Sequence, residues 1–280
     1  MGQVDPVSVL DRFPDERSAL LDALRSLSLE QWARPTACPG WSVKDVAQHI
    51  LADDLGRLSH ERDGYTAGRF ESATTETFET ELLAFINRQN ESWVEATRRL
   101  SPHIIIELLD WSGRETRPYF ESMDPFAMGL GVSWAGESES PNWFDLAREY
   151  TERWHHQAQI REGAGLPLLY EPRLFAPVLA TFVRGLPYTF RNVDAPGGAC
   201  VSLRIVGEAG SAWSLVRTGQ GWRLIGGLEE SADATVEMDQ DTAWRLFTKA
   251  FSPVDARERA SLSGDQRLAE RVLQTVSVIA

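Results

Sequence analysis

Apolar residues recur at three- and four-residue spacing over residues 7–27, where Val9, Leu10, Phe13, Leu20, Leu21, Leu24 and Leu27 predict an amphipathic helix. Pro14 divides that run and moves the start of the main helix to about Asp15. Ser42 followed three residues later by Asp45 is a capping-box pattern, so a second helix is expected from there to about His60. Its buried stripe would be Val43, Ala47, Ile50, Leu51 and Leu58. A third helix is expected over 77–100, with Phe85, Ile86 and Trp93 among its apolar positions, and a fourth from Pro102 toward Met123. Residues 124–141 are rich in Gly, Ser and Pro and read as a long loop, of a length that often serves as a substrate lid. Ser140 and Pro141 then make an N-cap and first-turn pair for a fifth helix over 142–162, and a sixth is expected over 173–190.

The pattern changes at residues 192–198. Short β-rich runs follow at 201–206, 212–216, 222–225 and 234–238, and helices over 240–250 and 266–277 close the chain. The fold class expected is α+β, with a helical domain over 1–190 and a smaller α+β domain over 191–280. A chain of 280 residues is long for one core, which agrees with two domains.

Charge narrows the partners. A net charge of -13 argues against nucleic acid and against an anionic membrane, since both need a basic face. Met1-Gly-Gln-Val-Asp-Pro6 offers neither a basic start nor an apolar run, and the run at 104–109 is interrupted by Glu107 and too short for a bilayer. A cytoplasmic protein is expected. Cys38 and Cys200 imply no disulfide framework. Cys38 precedes a helix, where it would be either a reactive thiol or a small residue in a tight turn, the second being the commoner case.

The candidate chemistry lies in Glu152-Arg-Trp-His-His156 and at His49. Glu152 and His156 are four apart and share a helix face with Glu149 and Gln159, opposite Trp143, Ala147, Tyr150 and Trp154. His49 lies off the apolar stripe of its own helix, near Asp45, Asp53 and Gly56. One carboxylate and two imidazoles from two helices would offer three ligands to a divalent cation, as in catalytic zinc sites and metal sites inside helix bundles. Spacing alone is weak evidence, since most Glu-x-x-x-His pairs on helices are solvated i,i+4 pairs. His155 points about 100° from His156 and reads as packed or exposed. His60 and His103 read as surface or satisfied histidines, and Asp53 as a surface carboxylate or the group that orients His49.

The run Cys38-Pro-Gly-Trp-Ser-Val-Lys-Asp-Val-Ala-Gln-His49, followed by Glu152-x-x-x-His156, resembles the mycothiol-dependent maleylpyruvate isomerase family. The resemblance implies an N-terminal DinB-like four-helix metal-binding domain. Ala234-Thr-Val-Glu-Met238, Thr242-Ala-Trp-Arg-Leu-Phe247 and Ser263-Gly-Asp-Gln-Arg-Leu-Ala269 resemble the sterol-carrier-protein-like domain at the C-terminus of the same family. By this resemblance His49, Glu152 and His156 take the metal-ligand positions, with Zn²⁺ or another divalent ion as cofactor and mycothiol as cosubstrate. The partners implied are a low-molecular-weight thiol and a small electrophile. A bound cation makes a coordinating thiol lose its proton, and the thiolate then adds to the electrophile, giving S-transfer or cis–trans isomerisation. Two positions depart from the family pattern: Gln159 stands where members often carry Asp, and Thr248-Lys249-Ala250 replaces a Thr-Gly-Arg turn. Lys249 is thus the candidate for the missing arginine's role. A hydrolase using a metal-bound water, and a non-enzymatic binder of an apolar ligand, are the competing expectations.

Overall fold

The computed structural model describes residues 4–68, 70 and 78–278. Helix α1 (Phe13–Ser26) starts at Phe13 rather than Asp15, because Pro14 sits in the first turn, where its missing N–H breaks no bond. A short α2 (Leu29–Trp32) follows. Helix α3 (Val43–Gly56) opens on the expected capping box, with the Ser42 N–H donating to Asp45 Oδ2 at 2.9 Å and the Asp45 N–H to Ser42 Oγ at 3.3 Å. Its stripe of Val43, Ala47, Ile50 and Leu51 is buried as expected. The helix does not run regularly to His60 but widens to a π-helical segment, Arg57–Arg62. Helix α4 (Phe78–Thr97) comes next, the expected start at 77 lying outside the described residues, and α5 (Pro102–Ser122) is capped by Ser101 Oγ, which accepts the Ile104 N–H.

Residues 124–141 differ from expectation. Strands β1 (Met128–Leu130) and β2 (Glu139–Pro141) pair antiparallel around a 3-10 turn at Ser133–Ala135, so this stretch is a hairpin and not an unstructured lid. Ser140 caps no helix: its hydroxyl accepts the Val132 N–H at 3.1 Å and donates to the Glu137 carboxylate. Helix α6 (Asn142–Ala164) follows directly. The single helix expected over 173–190 is broken into α7 (Pro172–Phe182), a 3-10 turn at Val183–Gly185, and α8 (Leu186–Thr189). Pro187, which cannot donate, sits in the first turn of α8 and fixes the break.

Strands β3 (Cys200–Val206), β4 (Ala212–Thr218), β5 (Gly221–Gly226) and β6 (Ala234–Asp239) match the four expected runs. Helix α9 (Gln240–Phe247), then α10 (Pro253–Arg259) and β7 (Ser261–Gly264), both unforeseen, lead to α11 (Gln266–Val272). The sheet order is β5-β4-β3-β6-β7, antiparallel except for the parallel β3–β6 pair. The fold is α+β.

The chain groups into two compact units. One, here the helical unit, holds Leu10–Met123 and Glu152–Leu169; the other, the sheet unit, holds Met1–Val9, Asp124–Thr151 and Tyr170–Ile279. The strand-rich stretch expected after residue 190 lies within the sheet unit.

In the helical unit Leu20, Leu24, Val46, Ile50, Ile105, Leu109 and Ile160 form one apolar core. A buried polar cluster crosses it. Asp54 accepts from Arg17 Nη2 at 2.8 and 3.1 Å and from Ser112 Oγ at 2.5 Å, and Arg153 Nη2 lies 2.7 Å from it. Arg153 also lies over the rings of Phe13 and Phe120, at 5.1 and 5.4 Å. The cluster therefore ties α1, α3, α5 and the C-terminal part of α6 together, and removing one charge from such a set typically costs ~3–5 kcal/mol. In the sheet unit Val201, Leu203, Ile205, Val236 and Met238 are buried, as are Trp244 and Phe247 of α9 and Leu268 of α11. Among the described residues no helix is long and apolar enough to cross a membrane.

Candidate metal centre

The capping box fixes where α3 begins, and that register places His49 and Asp53 one turn apart on one face of the helix. In α6, Glu152 and His156 stand in the same relation. The fold brings the two faces together. His49 Nε2 lies 3.1 Å from His156 Nε2, with ring centroids 4.5 Å apart and planes nearly perpendicular. Asp53 Oδ2 is 3.4 Å from His49 Nε2, and Glu152 Oε2 is 3.6 Å from His156 Nε2. Possible ligand atoms of His49, Asp53 and His156 all lie within 4.8 Å of one another. Asp53 is thus nearer the centre than a surface carboxylate would be. Its spacing from His49 was the available signal, but i,i+4 pairs of this kind are common on exposed helices.

The donor set suits a divalent cation. Two imidazole nitrogens bound at about 2.0–2.1 Å to one tetrahedral ion stand roughly 3.3 Å apart, close to the separation seen. Burial, with the neighbouring His49, pushes the His156 pKa down, so its ring is neutral and keeps a lone pair for a metal. Two carboxylates, Asp53 and Glu152, lie beside the imidazoles, a donor set that attracts a cation. Trp41 walls the His49 side, its ring meeting the imidazole edge-on at 5.2 Å.

Gln159 organises the surroundings. Its Oε1 accepts from Cys38 Sγ at 3.2 Å, so the group it meets at 2.9 Å on His156, Nδ1, must be an N–H. That hydrogen bond fixes the tautomer and turns the Nε2 lone pair of His156 toward His49. The Gln159 amide nitrogen donates to His155 Nε2 at 3.2 Å. His155 is buried and stacked on His156, with its pKa pulled down to about 3 by burial and by the two neighbouring imidazoles, so it serves as a neutral acceptor. Cys38 is a thiol in a turn: burial pushes its pKa up, against the reactive reading.

The remaining candidates lie elsewhere. His60 Nδ1 bonds the Tyr65 carbonyl at 2.7 Å, and His103 pairs with Glu107 on the surface. Glu149 is buried 3.9 Å from an Arg148 nitrogen. Lys249 is exposed and belongs to the sheet unit; it has a positive φ of 63°, and its N–H closes α9 on the Leu246 carbonyl at 3.1 Å.

Residues 13–161 match the family model described as the mycothiol maleylpyruvate isomerase N-terminal domain. The chain belongs to that family. The match spans α1 through most of α6 and so includes His49, Asp53, Glu152 and His156. An uncharacterized protein of Mycobacterium tuberculosis (strain ATCC 25618 / H37Rv) is 24% identical over 257 residues, covering 85% of this chain and 93% of its own. The crystal structure of the mycothiol-dependent maleylpyruvate isomerase superposes with a TM-score of 0.55 at 11% identity, covering 94% of this chain and 96% of that one. A histidine-to-alanine mutant of that isomerase gives the same values. At such identity the superposition shows a shared fold across nearly the whole chain.

Proposed function

We propose that this member of the mycothiol maleylpyruvate isomerase family is a cytoplasmic enzyme that uses a divalent metal, zinc first, to activate a low-molecular-weight thiol for addition to a small electrophile. Mycothiol is the first thiol to test. The observation that carries the reading is the approach of His49 Nε2 and His156 Nε2 to 3.1 Å, with Asp53 and Glu152 beside them.

His49, His156 and Glu152 would hold the ion, with Asp53 either joining them or orienting His49. When bound, the cation supplies the charge that makes a coordinating thiol ionise near neutral pH. The protein's own part is to place and protect. Gln159 holds the Nδ1 proton of His156 so that Nε2 faces the centre, His155 stays neutral behind it, and Trp41 keeps water from the His49 side. Within this reading residues 1–190 and 191–280 are the two inherited domains, the family match over 13–161 lying inside the first. Lys249 stands as a candidate substrate contact.

The test is metal content and thiol dependence together. Purified wild type should carry close to one divalent ion per chain and His156→Ala very little. Product from maleylpyruvate or a related electrophile should form only with thiol present. Turnover without thiol would replace this reading with a hydrolase, and metal-free wild type with no turnover would remove it.

A further inference from the structure

A second place for a ligand lies wholly within the sheet unit. A cavity of ≈ 420 Å³ is lined by Trp143, Phe144 and Trp222, together with Arg184, Arg223 and Glu137. That volume is within the range of small-molecule sites. Its aromatic walls are held in place: Trp143 and Phe144 stack at 5.2 Å, and the Trp222 indole donates to the Val193 carbonyl at 3.1 Å while its ring meets Phe190 at 5.0 Å.

Arg184 and Arg223 bring guanidinium groups to the cavity. The Arg184 guanidinium stacks over Trp143, 4.6 Å from the ring centroid, and one nitrogen donates to the Asp5 carbonyl oxygen, which carries no charge. Its Nε is buried without an acceptor among the described residues. Burial pulls the Arg184 pKa down to about 10, so the group is charged at neutral pH yet poorly solvated. Glu137, the carboxylate in the lining, already accepts the Ser140 hydroxyl. The carboxylates of Glu137 and Asp5 both act on Arg184 through space, so the lining is not simply cationic; what it offers an anionic oxygen is guanidinium donors beside flat apolar walls, a setting in which such an oxygen gains strong hydrogen bonds.

We propose that this cavity binds a small, flat, apolar carboxylate, with the acid group on Arg184 and the body between the aromatic side chains. The site is separate from the metal centre, whose donors belong to the helical unit, and it does not rest on the function proposed above.

1-Naphthoate and its uncharged counterpart 1-naphthalenemethanol serve as probes, titrated calorimetrically into the full chain after metal removal with EDTA. The acid should bind one per chain and about tenfold or more tighter than the alcohol. Arg184→Met, which keeps an unbranched side chain against Trp143, should bring the acid to the alcohol's level. Arg223→Met, at an exposed position, should weaken the acid several-fold and tests the same charge should the Arg184 variant fail to fold. His156→Ala should bind the acid as wild type does. Equal binding of acid and alcohol, no saturable binding of either, discrimination that persists in a folded Arg184→Met, or acid binding lost in His156→Ala would each overturn the proposal.

Discussion

Gln159 Oε1 accepts the Nδ1 proton of His156 at 2.9 Å, from a position three residues further along the same helix. A neutral amide here does the orienting that a carboxylate would otherwise do, and it shares its oxygen with Cys38. Partners that fix a ligand imidazole usually contribute about 10–100-fold to metal affinity. Gln159→Leu should therefore lower Zn²⁺ affinity by roughly that factor, measured by competition with a chromogenic chelator, with circular dichroism checking the fold. Gln159→Glu, which keeps the acceptor, should retain affinity. Equal affinity in the Leu variant would refute the orienting role.

Glu152 and Asp53 make separable predictions. The Glu152 side chain is 24% exposed and that of Asp53 41%, so Glu152 is the better shielded donor. Glu152→Ala should abolish stoichiometric metal retention through gel filtration. Asp53→Asn should keep the ion with an affinity reduced on the order of 10-fold, as expected for a group acting through His49. The reverse ranking would make Asp53 the third ligand.

Glu16 is fully buried in the helical unit, where its carboxylate accepts from Gln157 Nε2 at 2.7 Å. Burial raises its pKa, and the nearby charges of Arg17 and Arg153 only partly oppose this. A raised folded-state pKa means that folding takes up a proton. Stability from this group is complete below the unfolded value of 4.5 and is lost as pH rises through the folded value. Glu16→Gln should flatten the fall in stability above that pH, with denaturant midpoints for the two proteins diverging as pH increases. Parallel pH profiles would contradict the assignment.

Lys249 closes α9 in the left-handed region, where an L side chain is strained and glycine is not. Lys249→Gly should raise stability by on the order of 0.5–1 kcal/mol, read as a higher melting temperature. The same variant tests the proposed substrate contact without disturbing the turn. Thiol-dependent turnover should fall in the more stable protein, and unchanged turnover would leave Lys249 only its backbone role.

Local rules were legible in the sequence. The Ser42/Asp45 box, the apolar stripe of α3 and the short β-rich runs of β3 to β6 depend on neighbours a few residues away, and they appear in the structure nearly where the pattern placed them. The hairpin at β1 and β2 was not legible, since Ser140 looks like a helix cap until the Val132 amide and the Glu137 carboxylate are brought to it. Gly and Pro marked turns there without saying that the strands between them would pair.

The sequence by itself determined which side chains share a face: His49 with Asp53 on one helix, Glu152 with His156 and Gln159 on another. Only the tertiary structure decided that those two faces meet with imidazole nitrogens 3.1 Å apart. It alone showed that Gln159 engages His156, His155 and Cys38 at once. The reason is physical: helical periodicity fixes direction around one axis, whereas the separation between two axes is set by packing, here by the apolar core of the helical unit and the charges gathered on Asp54.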